Sequence, residues 1–201
     1  MDAGGFSRPR VLDMLNVKYV ITRKKISNPT FEKVESIKGL YKNKNVLPKS
    51  WIVGDIKNVS TQRESLMEIL LSSFNPKEIA IVYDYNGPQI SNNSTGEVSI
   101  TLREENRIEL VSKTDTGGLL VLSEIYYKPG WIAKVNDIKT PIYQANHILR
   151  SIYVPKGVSN IVFEYNDTDW KRTRLLSRIS LASVILILGG LFWKDRKRII
   201  Q

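Results

Sequence analysis

The sequence predicts a mainly β chain with some α. It divides into an α+β N-terminal segment (residues 1–90), a β-sandwich or jelly-roll-like module (96–166), one transmembrane helix (175–193) and a basic tail (194–201). Three observations predict this. From about residue 98 to 165, apolar and polar residues alternate in short runs parted by Gly, Pro, Asn and Asp, the pattern of half-buried strands joined by turns. Before that, β-branched runs are interleaved with one segment of helical spacing. After it, LLSRISLASVILILGGLFW continues for 19 residues with Arg178 as its sole charge.

In the first segment, VKYVI (17–21) and WIVGDI (51–56) read as short strands, the second after the turn signal of Pro48. Thr61 followed by Glu64 has capping-box spacing, and Leu66, Met67, Leu70 and Leu71 fall on one helical face, so a helix is expected until Asn75 and Pro76 stop it. IAIVY (79–83) returns to extended structure. Asn86 to Gly96 reads as a linker or long loop.

Seven strands are expected in the second segment. Val98, Ile100 and Leu102 alternate, Glu104 to Asn106 turn, and Ile108 and Leu110 alternate again. Gly117 and Gly118 lead into LLVLSEI, an unbroken apolar run suited to a central strand buried on both faces. WIAKV, a turn at Asn136 and Asp137, strands near 139–144 and 148–154, a turn at Pro155 to Gly157 and NIVFEY complete the set. Short strands at this spacing argue a sandwich-like module.

As a helix, Leu175 to Trp193 measures about 28 Å, close to the hydrocarbon thickness of a bilayer. Trp170 and Trp193 bracket it as interfacial aromatics, and Arg178 can snorkel towards the headgroups, so these three residues are expected at the membrane interface. Four bases precede or open the run and four follow it, so the positive-inside rule does not orient it. From Asp167 onward there are eight bases against three acids, half of the chain's net +10. The other half reads as a mild excess on an ordinary surface, with no motif for nucleic acid.

The absence of cysteine and the single histidine, His147, exclude disulfides, thiol nucleophiles and Cys/His zinc centres. Walker, GxGxxG, GxSxG and HExxH motifs are missing as well. No residue is assigned as catalytic, metal-ligating or cofactor-binding, and no cofactor is expected. Asp84, Asp137 and His147 are read as turn or strand-edge residues. Trp131 is read as a buried anchor. The aromatic residues of the β segment are read by default as core or sandwich-edge packing; those left exposed, with Tyr126, Tyr127, Tyr143 and Tyr153 as the candidates, are the alternative glycan contacts, because aromatic faces stack on sugar rings. Arg23, Lys24 and Lys25 form a small basic cluster, a solvated face by default and a headgroup contact if the domain lies against a membrane.

LDMLNVKYVIT (12–22), LPKSWIV (47–53), LLVLSEIYYKPGWIAKVND (119–137) and PIYQANHILRSIYVPKGVSNIVFEY (141–165), followed by a hydrophobic span, resemble the C-terminal region of bacterial YfhO-like membrane proteins. The resemblance covers nearly the whole chain. Its most specific part is Tyr127, Pro129, Gly130 and Trp131 with Ala145, Asn146, Arg150, Val154, Pro155 and Gly157. Lys128 is inserted in the Tyr-Pro-Gly-Trp pattern, and Asn136, Asp137 and Ile138 stand where an Asp-Gly turn is commoner.

The resemblance implies a polytopic parent protein of the GT-C glycosyltransferase type, using a polyprenyl-phosphate sugar outside the membrane, with its catalytic acid in an early loop that this chain lacks. The chain would then be the extracytoplasmic domain and last span. Its partners would be the lipid bilayer, the remaining transmembrane part of the parent, and a polyprenyl-phosphate sugar or envelope glycan. Two other readings stay open: a tail-anchored cytosolic adaptor, and a membrane-tethered carbohydrate-binding module.

Overall fold

The structure, a computed structural model, describes residues 9–90 and 94–199, with the side chains of Asp169 and of 190–199 outside the description. It comprises two compact units, one ending at Tyr165 and one beginning at Asn166. The chain is mainly β, with several sheets and a C-terminal helix.

The first unit opens with α1 (Pro9–Met14) and three short strands, β1 (Tyr19–Ile21), β2 (Phe31–Lys33) and β3 (Leu40–Asn43), which pair antiparallel in the order β1-β3-β2. Of these strands only β1 is anticipated by sequence, from the β-branched run it belongs to; β2 and β3, of three and four residues, show no such run. Ile26, Phe31 and Tyr41 form a small core of their own beneath the sheet. Burial raises the Asp13 carboxyl above its ordinary range, although the hydrogen bond from Asn43 Nδ2 at 2.7 Å works against it.

WIVGDI is not one strand but two. β4 (Ser50–Val53) and β5 (Asp55–Val59) are separated by Gly54 alone, yet they occupy opposite edges of a six-stranded sheet. Between them lie β9 (Gly118–Ile125), β13 (Leu149–Val154), β12 (Tyr143–Ala145) and β6 (Ile79–Tyr83), in the order β4-β9-β13-β12-β6-β5. Two edges joined by one residue require the sheet to curl round until they meet. Gly54 permits this: a Cβ there would lie 2.2 Å from the amide nitrogen of Ser94.

α2 (Gln62–Ile69) connects β5 to β6, the parallel pair of this sheet, and so forms a crossover unit. Its capping box forms as the sequence predicts: the Glu64 amide donates to Thr61 Oγ1 at 3.1 Å, and the Thr61 amide to Glu64 Oε2 at 3.2 Å. The buried face is not the expected one. Ser65 and Ile69, one turn apart, are buried, while Leu66, Met67 and Leu71 are exposed. In so short a helix the crossover fixes which side meets the strands, and small Ser65 lets the backbones approach.

The five-stranded sheet contains β7 (Gly96–Arg103), β8 (Arg107–Thr114), β10 (Trp131–Val135), β11 (Ile138–Thr140) and β14 (Gly157–Tyr165), in the order β11-β10-β14-β8-β7, all antiparallel. The expected strand near 139–144 is divided at Pro141, which has no amide to donate, and its halves belong to different sheets. Residues 96–166 therefore hold eight strands rather than seven.

β9 is buried on both faces, as its unbroken apolar run predicts. Leu119 and Val121 enter the core shared with β4–β6 and α2; Leu120 and Leu122 meet Ile108, Leu110, Ile161 and Phe163 of the five-stranded sheet. The six-stranded sheet thus takes strands from both sides of the 86–96 loop.

The second unit is a single helix, α3 (Thr168–Ile199). Every side chain from Lys171 to Gly189 is exposed, among them Leu175, Leu176, Ile179, Leu181 and the run Val184 to Leu188. Among the described residues no helix is long and apolar enough to cross a membrane. The described side chains of the apolar run stop at Gly189, short of Trp193.

Candidate functional site

At one end of the two sheets, three of the four predicted glycan-contact tyrosines meet in one cleft of about 420 Å³. Tyr126 and Tyr127 follow β9, Tyr143 opens β12, and Trp131, which opens β10, completes the wall. Pro141 and Ile142, where the chain changes sheets, lie between them, with Lys128, Lys139, Asp84 and Gln144 at the polar side.

The local geometry explains why these side chains converge. Tyr126 is tied down by its amide, which donates to the Ile148 carbonyl at 2.7 Å, and Tyr127 is left 56% exposed. Gly130 (φ +83) returns the chain into β10, and a Cβ there would strike the Tyr165 ring at 2.5 Å. Tyr143 is nearly buried; its hydroxyl donates to Asn86 Oδ1 at 3.1 Å, and its ring lies 4.6 Å from that of Tyr85. Asp84 adopts φ +51 and its amide donates to the Val59 carbonyl, the turn role expected of it.

Trp131, read as a buried anchor, is partly buried and packs against the core of the five-stranded sheet. It lies edge-on to Tyr165 at 5.7 Å and is covered on one face by the Arg150 guanidinium, 3.8 Å from the ring centroid. Arg150 is itself buried; its Nε donates to the Ile125 carbonyl at 2.8 Å, while Nη1 has no hydrogen-bond partner among the described residues. Desolvation lowers its pKa, offset in part by the charge of Glu124. Sequence reading marks Arg150 only through the family resemblance; nothing in its spacing shows that it would back an aromatic wall.

The electrostatics of the cleft favour hydroxyl donors. Burial raises the phenols of both Tyr126 and Tyr143, so each remains protonated at neutral pH. Behind them Tyr85 is pushed up to about 12 by burial and by the neighbouring Tyr143 and Tyr153. Among the described residues Asp84 is the one carboxylate in the wall.

Tyr153 lies apart from the cleft walls. It packs on the core behind them, its hydroxyl beside Gly117. Trp170 is exposed on α3 and Arg178 is exposed further along it; the Trp193 side chain lies outside the described residues. His147 occupies the β12–β13 turn with φ +72. Comparison with protein families, with curated proteins and with solved structures gives no match.

Proposed function

We propose that this chain is a membrane-tethered, glycan-contacting accessory domain, the C-terminal extracytoplasmic portion and last span of a YfhO-like protein whose lipid-linked sugar transfer is carried out elsewhere. The observation that carries this reading is the cleft. Trp131, Tyr126 and Tyr127 line it with aromatic rings over the nearly buried Tyr143, the means by which proteins hold a sugar ring, and among its described residues there is no carboxylate pair that would cleave one. Lys128 and Lys139 at the rim favour a saccharide bearing phosphate or carboxylate. Face-to-face packing of the two sheets supports a sandwich-like description of 96–166, one of whose sheets is completed by β4, β5 and β6 from the earlier segment.

In this reading Leu175 to Trp193 anchors the domain in the cell membrane with residues 194–201 in the cytoplasm. Its support is the helical backbone through the whole run and the exposure of its described apolar side chains from Leu175 to Leu188. Titrating the full chain in vesicles with acidic envelope oligosaccharides, read by tryptophan fluorescence, should give a saturable change, and Tyr127→Ala should weaken it about tenfold, the worth of one stacked ring. A flat response to every saccharide would remove the glycan role. Protease added to intact spheroplasts should digest the β domain; cleavage of a C-terminal tag instead would favour the tail-anchored arrangement.

A further inference from the structure

The charge outside α3 is not evenly spread. Between Val17 and Asn45 eight bases face two acids, whereas the rest of the chain up to Asn166 carries 14 bases and 15 acids. This excess lies on the β1-β3-β2 sheet and its loops. One acid, Glu35, is taken up by Lys33 at 2.7 Å. Arg23, Lys24, Lys25 and Lys38 are exposed and form no ion pair among the described residues.

Two loops bring these four cations together around one concavity. The segment after β1 carries Arg23 to Lys25, and the β2–β3 connection carries Lys38. The Thr22 amide donates to the Gly39 carbonyl at 2.9 Å, and only glycine fits there, since φ is +78 and a Cβ would lie 2.5 Å from the Thr22 carbonyl oxygen. On the same two segments Ile21 is 78% exposed and Ile37 52%, while Val20 and Tyr41 hold the opposite face of the sheet to its core.

A merely solvated basic surface gains nothing from two aliphatic side chains in water. A bilayer surface uses both features, because headgroup phosphates pair with the cations and the acyl boundary accepts the isoleucines. Nucleic acid supplies the phosphates without an apolar partner. We infer that this end of the first unit is a docking surface for an anionic phospholipid bilayer, with Arg23, Lys24, Lys25 and Lys38 on the phosphates and Ile21 and Ile37 at the acyl boundary. The inference does not depend on α3 being a membrane span.

The full chain is reconstituted into vesicles of phosphatidylcholine, with or without phosphatidylglycerol, and lysine acylation is followed by peptide mass spectrometry. With phosphatidylglycerol, Lys24, Lys25 and Lys38 should react about fivefold more slowly, reversibly with salt, while the exposed Lys113 of β8 and Lys156 of the β13–β14 turn serve as unprotected controls. Arg23→Gln/Lys24→Gln/Lys25→Gln should return Lys38 to its rate in phosphatidylcholine, and Ile21→Ser/Ile37→Ser should weaken the protection with folding unchanged by circular dichroism. Equal rates in the two lipids overturn the inference. So does protection that an oligonucleotide reproduces without anionic lipid and that the isoleucine variant retains. Carbonate washing separates the two proposals: a chain stripped from the vesicles yet protected by phosphatidylglycerol before washing loses its anchor and keeps this surface.

Discussion

Asn136 and Asn146 solve the same local problem in different sheets. Each sits in a turn with positive φ, +49 and +48, and each extends a neighbouring strand with its own side chain. The Asn136 amide donates to the Asn160 carbonyl while its Oδ1 accepts from the Asn160 amide, both at 2.8 Å; Asn146 does the same with Ile81, at 2.7 and 2.9 Å. Asparagine combines tolerance of the left-handed region with a side-chain acceptor, which glycine lacks. Asp137, at φ +65, is exposed and has only the conformational requirement to meet. Asp137→Gly should therefore stabilise the chain by about 0.5–1 kcal/mol, whereas Asn146→Ala, which orphans a buried amide and strains the turn, should cost about 2–4 kcal/mol. Chemical denaturation of the two variants measures both. Equal and opposite small effects would mean that the Asn146 side-chain bond contributes little. The turn at 136–137 is legible in sequence as two consecutive turn formers, but the strand-completing bonds are not, because their partners lie in strands distant along the chain.

Among the elements, β9 is the most legible, since an uninterrupted apolar run has no polar face to turn to water and must be central. Parallel pairing of β5 with β6 is not legible: sequence marks two strands and a capped helix, and only the closure of the curled sheet decides that they lie side by side. Gly54 is the point where that closure is enforced. It carries no strained φ, so its requirement is steric, against the backbone of Ser94. Gly157 is the opposite case, with φ +97 and open space around its Cα. Gly157→Ala should cost about 1–2 kcal/mol, the penalty of the left-handed region alone. Gly54→Ala should cost about 3 kcal/mol, since two backbones must part. If urea denaturation finds Gly54→Ala no worse than Gly157→Ala, the segment at Ser94 can move away from Gly54 at little cost. The cleft has the same origin: Tyr126, Tyr127 and Tyr143 are visible in sequence as aromatics, but their meeting depends on Pro141 sending β11 and β12 to different sheets.

On the scale of the whole molecule, the first unit buries most of its apolar residues in cores of its own, while the second leaves its described apolar residues exposed along α3. A helix apolar on all sides gains nothing in water, because no partner stripe is distinguished from a polar one. A bilayer removes that cost for every face at once. If α3 is the anchor proposed above, the wild-type chain should stay with membranes through alkaline carbonate extraction. A lysine near the centre of a membrane helix costs about 2.5–3.5 kcal/mol to insert, so Leu181→Lys/Ile185→Lys should lose about 5–7 kcal/mol of insertion free energy and move to the supernatant. Because these positions belong to α3 and not to the sheets, the thermal transition of the β unit should remain where it is. Extraction of the wild-type chain, or retention of the double variant, would overturn the proposal that α3 is a membrane anchor; a shifted transition would show that the sheets depend on the helix.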